Sequence, residues 1–414
     1  MEAESQHIAP IRGSERIVFI DVLRGLALFG ILAANMRGFF APLDCYEHIG
    51  VLYHGTADVV TQWFIDALVQ GKFITIFSFL FGLGFAIQMS RAEAHGVRFL
   101  SFYPRRLLAL ALFGVLHGVL IWAGDVLLTY ALSGAILLLF RNRQQKTLLW
   151  WAGGLFALPI VAATIFLAVF FSHLHRPWMD PERPDVQKLH AVIQIYAHGT
   201  TRQIMAQNWV EWVHFLRTQL FAIYATALFL LGMWVWRAGI VQRLPEYKPI
   251  LKRICAWCIP IGLALSAYVA TMKAVLPPAK FSLWGWFAAI LYLPGSHILS
   301  AGYISGLALL FLNKKWRPKL MSFAAVGRTA LTNYLLQSVI CTLFFYHYTT
   351  GLYGRIGPAI GLVPTVILYG AQVAVSNWWL RRYRFGPMEW LWRGMTYGKF
   401  PTMAQNEELV MAEA

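Results

Sequence analysis

Charge is scarce in this chain. Only 13% of its 414 residues are Asp, Glu, Lys or Arg, while 58% are hydrophobic, and a soluble domain carries about a quarter charged residues. Period-two alternation is also missing from the apolar runs, which excludes a membrane β-barrel. Cysteine is limited to four positions. Cys45 stands in a loop and Cys341 in an apolar run, and the Cys255–Cys258 pair lacks the strand-loop-helix setting of a redox motif. There is no P-loop, G-x-S-x-G elbow or H-E-x-x-H helix. The first thirteen residues are polar and carry no cleavage pattern, and the first apolar run holds Asp21 and Arg24, which fits a retained helix.

What the chain does have is apolar runs, many of 17 residues or more and long enough to cross about 30 Å of hydrocarbon. Ten spans are predicted: 18–36, 66–89, 107–122, 126–140, 148–171, 215–236, 254–272, 283–312, 330–346 and 360–380. A long polar connection, 172–203, precedes an amphipathic part near 193–212. The net charge of +16 comes from basic clusters after every second span, such as Arg98, Arg105 and Arg106, or Lys314, Lys315 and Arg317. Between residues 41 and 60 there is no Lys or Arg. That is the positive-inside pattern rather than a nucleic-acid footprint, and it predicts both termini in the cytoplasm. The expected class is therefore an all-α, polytopic helical membrane protein. It comprises a polar tail over 1–15, one bundle over 16–397 and a second tail over 398–414.

Ionisable side chains inside a bilayer are costly and mark candidate sites. The stretch His117–Asp125, HGVLIWAGD, reads as the end of one span, a Gly-Asp turn and the start of the next. His117 and Asp125 pair as a base and its orienting carboxylate if the turn folds the acid back. Otherwise the histidine joins helices and Asp125 caps span 4. In span 1, Asp21, Arg24 and Asn35 share one face, as an anion site or as a structural pair. Lys72 begins span 2, either snorkelling outward or facing a cavity, and Gly82 and Gly84 suit close helix packing. Thr329, Asn333 and Gln337 form an i, i+4, i+8 stripe with Arg328 at its start. Such a stripe suits a polar tunnel somewhat better than a helix joint. Glu389 and Arg393 make an i, i+4 pair on a Trp-rich interfacial helix. The histidines at 173, 175, 190 and 198 fit no tight metal site, so no metal is expected.

Several of these stretches occur together in one known family. FIDVLRGLALFGILAANM, QGKFITIFSFLFGLGF, LHGVLIWAGDVLLTYALSG, VGRTALTNYLLQSVICTLFFY and GPMEWLWR, in this order, closely resemble the YeiB-like bacterial inner-membrane proteins, domain of unknown function 418. The resemblance runs from about Arg16 to Tyr397 and is weakest between spans 5 and 8. It implies a multi-pass protein of the bacterial inner (plasma) membrane. More distantly, D-x-x-R-G-x-A-L…N in span 1, that is Asp21, Arg24, Gly25 and Asn35, is similar to the first helix of heparan-α-glucosaminide N-acetyltransferase. That similarity implies acyl transfer from cytoplasmic acyl-CoA, a co-substrate rather than a bound cofactor, to a small-molecule or glycan acceptor across the membrane. For such a reaction His117, assigned from its position in the membrane and not from the similarity, is the base and Asp125 orients it. Asp21, Arg24 and Arg328 hold the donor, Thr329, Asn333 and Gln337 line its tunnel, and Asn35 or Lys72 stabilises the oxyanion. A proton-coupled transporter using the same groups, and a non-catalytic membrane partner, are the rival expectations. The partners implied are the lipid bilayer and the acceptor, with an oligomer left open and nucleic acid excluded.

Overall fold

A computed structural model of the chain describes residues 17–45, 49–170, 185–218, 221–276 and 282–405. The expected N-terminal tail, His173 and His175 lie outside them. Among the described residues the regular structure is helical, apart from one isolated bridge between Tyr383 and Ala404. Seven segments among the described residues are long and apolar enough to cross a membrane, and three shorter apolar helices accompany them. This is the composition of a helical membrane protein.

Helix α1 (Val18–Phe40) is the axis of the bundle. Burial covers 67% of its apolar window, against 11% for α6 (Gln145–Phe170) and 22% for α10 (Lys248–Val275), so α6 and α10 present most of their surface outward, as lipid-facing helices do. Small residues let neighbours approach α1 closely. Gly327, at the end of α12 (Arg317–Arg328), lies against the Asp21 carbonyl, where a Cβ would sit 1.9 Å from the oxygen. On the other side, the Tyr369 hydroxyl of α14 (Pro358–Trp379) donates to Gly25 O at 2.7 Å.

The expected second span is two helices. Helix α2 (Thr56–Leu68) ends before Gly71, whose φ of +81° only glycine adopts readily, and α3 (Lys72–Ala94) begins anew. Gly82 on α3 does support close packing, against the Phe229 backbone of α9 (Phe221–Arg237). Gly84 has open space instead.

Helices α4 (Tyr103–Leu120) and α5 (Leu127–Leu137) form the hairpin that carries His117 and Asp125. The amphipathic part becomes α7 (Val186–His198) and α8 (Thr201–Thr218), separated at Gly199 and Thr200. Together they cover two turns of the bundle. Asn208 Nδ2 donates to Ile121 O at 3.4 Å, and His347 N donates to Tyr196 O at 2.9 Å. A further hairpin pairs α10 with α11 (Leu283–Leu312). The stretch expected as a loop before span 9 contains α12, and α13 (Ala330–Phe345) follows it directly. The Trp-rich tail forms α15 (Pro387–Tyr397), docked across the ends of α4 and α13.

Candidate functional site

The turn after α4 does fold Asp125 back. Asp125 Oδ1 lies 2.9 Å from His117 Nδ1, with both side chains at most 1% exposed. Gly114 makes this approach feasible, because a Cβ there would lie 2.8 Å from Asp125 Oδ2 and 2.5 Å from Leu128 N. Asp125 also accepts from Leu128 N at 3.0 Å, so it caps α5 while holding the imidazole. The two readings of the pair are therefore complementary. A carboxylate on Nδ1 fixes the tautomer with its proton there and leaves the lone pair on Nε2. That Nε2 is buried and has no partner among the described residues. The Tyr334 ring lies 5.2 Å from the imidazole and the Trp122 ring 6.3 Å, and Trp122 is anchored by its Nε1 to Gly38 O.

Tyr334 is also the link to a cavity of about 260 Å³ lined by α1, α3, α4, α5, α9, α12, α13 and α15. Its walls run from Arg91 to Ile74 along α3, about 25 Å at 1.5 Å per residue. One end holds Arg24, Arg91, Arg106, Arg328 and Arg393 with Asp21 and Glu389. The other end is Ile74, Val126, Leu127, Tyr130 and Tyr334. His117 stands behind Tyr334 rather than in the wall itself. Gly84 lines the cavity, which accounts for the open space beside it.

The expected donor-side residues divide. Asp21 and Arg24 form an ion pair at 3.2 Å in the cavity wall, and Arg328 lines it too. Asn35 lies farther along α1, outside that wall. Lys72 does not snorkel, because it is 1% exposed and its Nζ donates to Asp66 O at 2.7 Å. Asp66 in turn pairs with Arg37 at 3.2 Å and accepts from Gln62 Nε2 at 3.0 Å, forming a buried charged cluster away from the cavity.

The stripe on α13 corrects the tunnel expectation. Asn333 Nδ2 donates to Thr329 Oγ1 at 2.8 Å and to Ser376 Oγ at 3.0 Å. Gln337 Nε2 donates to Gln372 Oε1 at 2.8 Å, and Gln372 Nε2 to Asn333 O at 2.9 Å. Amides and hydroxyls that complement each other across α13 and α14 satisfy themselves, so the stripe is an interhelical joint and leaves the cavity wall to Arg328, Ala330, Leu331 and Tyr334.

Sequence reasoning counted Arg91 and Arg106 as topological charges and missed their convergence. Arg106 stacks 3.4 Å from the centre of the Trp392 ring, whose Nε1 donates to Arg106 O at 2.8 Å. No spacing in the chain links residues so far apart. Glu389 was expected to pair along its own helix, yet it accepts from Leu331 N at 2.6 Å, Thr332 N at 3.1 Å and Thr332 Oγ1 at 2.6 Å, capping α13. Burial pushes its carboxyl above the ordinary glutamate value, and those hydrogen bonds pull it partly back.

The chain as a whole is similar to several bacterial proteins. Residues 235–399 match the family model described as "Protein of unknown function (DUF418)". That match covers α10 to α15, with Arg328 and Glu389. Full-length relatives extend the likeness to the α4–α5 hairpin. "Uncharacterized protein YxaH" of Bacillus subtilis (strain 168) is 34% identical over 97% of this chain and 99% of its own length. "Uncharacterized protein YeiB" of Escherichia coli (strain K12) is 32% identical over 92% and 96%. A third, "Uncharacterized 39.9 kDa protein in amylase 3'region" of Bacillus acidopullulyticus, is 28% identical over 96% and 99%. Likeness of this degree, from one terminal region to the other, places this membrane protein in the YeiB-like DUF418 family.

Proposed function

We propose that the protein is a transmembrane acyltransferase. Its ten spans would sit in the bacterial inner membrane with both termini and the arginine-rich cavity mouth on the cytoplasmic side, as the distribution of basic residues argues. The observation that carries the reading is the His117–Asp125 pair set one aromatic ring behind the apolar part of a cavity that is otherwise rich in arginine. A donor such as acyl-CoA would place its phosphates among Arg24, Arg106 and Arg328 and hold its thioester beside Tyr334, with the acyl chain lying along the apolar walls of the cavity. An acceptor hydroxyl or amine reaching His117 from the other side gives its proton to Nε2 as its oxygen or nitrogen bonds to the acyl carbon. The carbon–sulfur bond then breaks, and the imidazolium returns the proton to the departing thiolate. Asp125 keeps the ring in the accepting tautomer and stabilises the imidazolium.

Oriented vesicles test this. With labelled acyl-CoA supplied on the arginine-rich side, the label should pass to material on the opposite face in wild type, and His117→Gln should stop the passage without lowering donor binding. Label that remains in the donor despite full binding contradicts acyl transfer.

The buried Arg37–Asp66–Lys72 cluster favours a second reading, proton-coupled transport, because paired charges inside a membrane often mark a translocation path. Flux of a small solute in the absence of any acyl donor would support it.

A further inference from the structure

The walls of the cavity specify more than an acyl donor. We infer that its ligand is an amphiphile with a phosphate-bearing head and a long hydrocarbon tail, the head clamped by Arg106 on the face of Trp392. This deepens the acyl-transfer reading, but its test is binding alone, so the two can fail separately.

The charge balance argues for the head. Five arginines and two carboxylates line one end of the cavity. Of the carboxylates, Asp21 is paired with Arg24, and Glu389 accepts three hydrogen bonds from the start of α13. Arg24 lies within electrostatic reach of Arg106, so two guanidinium groups face the same space. Clustered guanidinium groups repel one another, and an anion between them relieves that cost; their planar forks suit phosphate oxygens.

Trp392 acts as a positioning residue. The Arg106 guanidinium carbon lies over its ring, 3.4 Å from the centre, and its Nε1 is tied to the carbonyl of Arg106 itself. The side chain and backbone of Arg106 are thus braced together, which fixes the fork before a ligand arrives.

The tail follows from the remaining walls. Beyond the arginines the lining is mostly apolar and includes Leu28, Ile31, Ile74, Phe77, Phe81 and Leu110. The Tyr130 hydroxyl there is already engaged with Ser78 Oγ at 2.8 Å and Ile74 O at 3.4 Å. A volume of about 260 Å³ drawn out over about 25 Å leaves a bore roughly one chain wide. A hydrocarbon chain suits such walls, whereas a short polar substituent would leave their apolar surface uncovered.

Equilibrium binding to the full-length protein in discs of neutral lipid tests the assignment. The probes are acetyl-CoA, dodecanoyl-CoA, CoA and, built into the disc, phosphatidic acid. Dodecanoyl-CoA should bind at least about tenfold more tightly than acetyl-CoA. Arg106→Ala and Arg106→Lys should each weaken it by about 10-fold or more with unchanged thermal unfolding. Trp392→Phe should restore most of what Trp392→Leu loses. Displacement of dodecanoyl-CoA by CoA identifies an aqueous source for the head, and displacement by phosphatidic acid a membrane source; either supports the inference. Equal affinity for the two acyl-CoAs, full affinity in both Arg106 variants, or no binding of any probe overturns it.

Discussion

At the scale of single residues, Asp125 does two jobs with its two oxygens, and substitution can separate them. Asp125→Asn keeps an acceptor for Leu128 N but loses the charge that stabilises an imidazolium. It should unfold within a degree or two of wild type and lose donor turnover by about 10³-fold or more. Asp125→Ala removes the cap as well and should cost about 1 kcal/mol of stability in addition. Activity and thermal unfolding measured on the same two variants check this, and a fully active Asn variant contradicts the orienting role. Arg37 and Asp66 behave differently. Each is buried and pairs with the other, so Asp66→Ala should destabilise by about 3–5 kcal/mol by stranding a buried charge. The double replacement Arg37→Met with Asp66→Leu should lose less than the sum of the two single ones, as a double-mutant cycle in detergent would reveal.

At the scale of elements, α15 is secured to the bundle by Glu389 at the start of α13 and by Trp392 on α4. Because burial raises the folded pKa of Glu389 above 4.5, the folded chain takes up this proton before the unfolded chain does as pH falls. The stability so contributed is complete below the unfolded value and diminishes as pH rises through the raised folded value. Glu389→Gln, which stays neutral at every pH, should flatten that part of the stability profile. An unchanged slope from pH 4 upward in the variant would rule the linkage out.

The elements also show which parts of the structure could be read from the chain. Apolar run length exposed α1, α4, α10, α11 and α14 because bilayer crossing depends on length and hydropathy alone. The break between α2 and α3 stayed hidden because its cause is the positive φ of one glycine, Gly71, set between Gln70 and Lys72 at the edge of an apolar run. His117 and Asp125 stood out because charge is costly in that setting, and their contact depended on Gly114 clearing space. The arginine cluster had no such signature. Its members are spread from Arg24 to Arg393, and only the packing of α1, α3, α4, α12 and α15 brings them to one cavity. The polar stripe pointed the wrong way for a related reason, since its partners Gln372 and Ser376 lie on the next helix.

For the whole molecule, the proposed ten-span topology would set the arginine-rich mouth in the cytoplasm and the α7–α8 cover on the opposite face. Reporter fusions after Arg141 and after Gly199 should therefore read opposite sides, and the same side for both would contradict the ten-span arrangement. The joined account, of a donor cavity with an oriented base at its end, is tested most directly by thiol release from dodecanoyl-CoA. Water then serves as the acceptor, so the natural one need not be known. The purified protein in discs should liberate CoA with multiple turnovers, and both His117→Gln and Asp125→Asn should abolish release while binding the thioester as wild type does. Release that continues at the wild-type rate in both variants would contradict the assignment of the pair as the catalytic base.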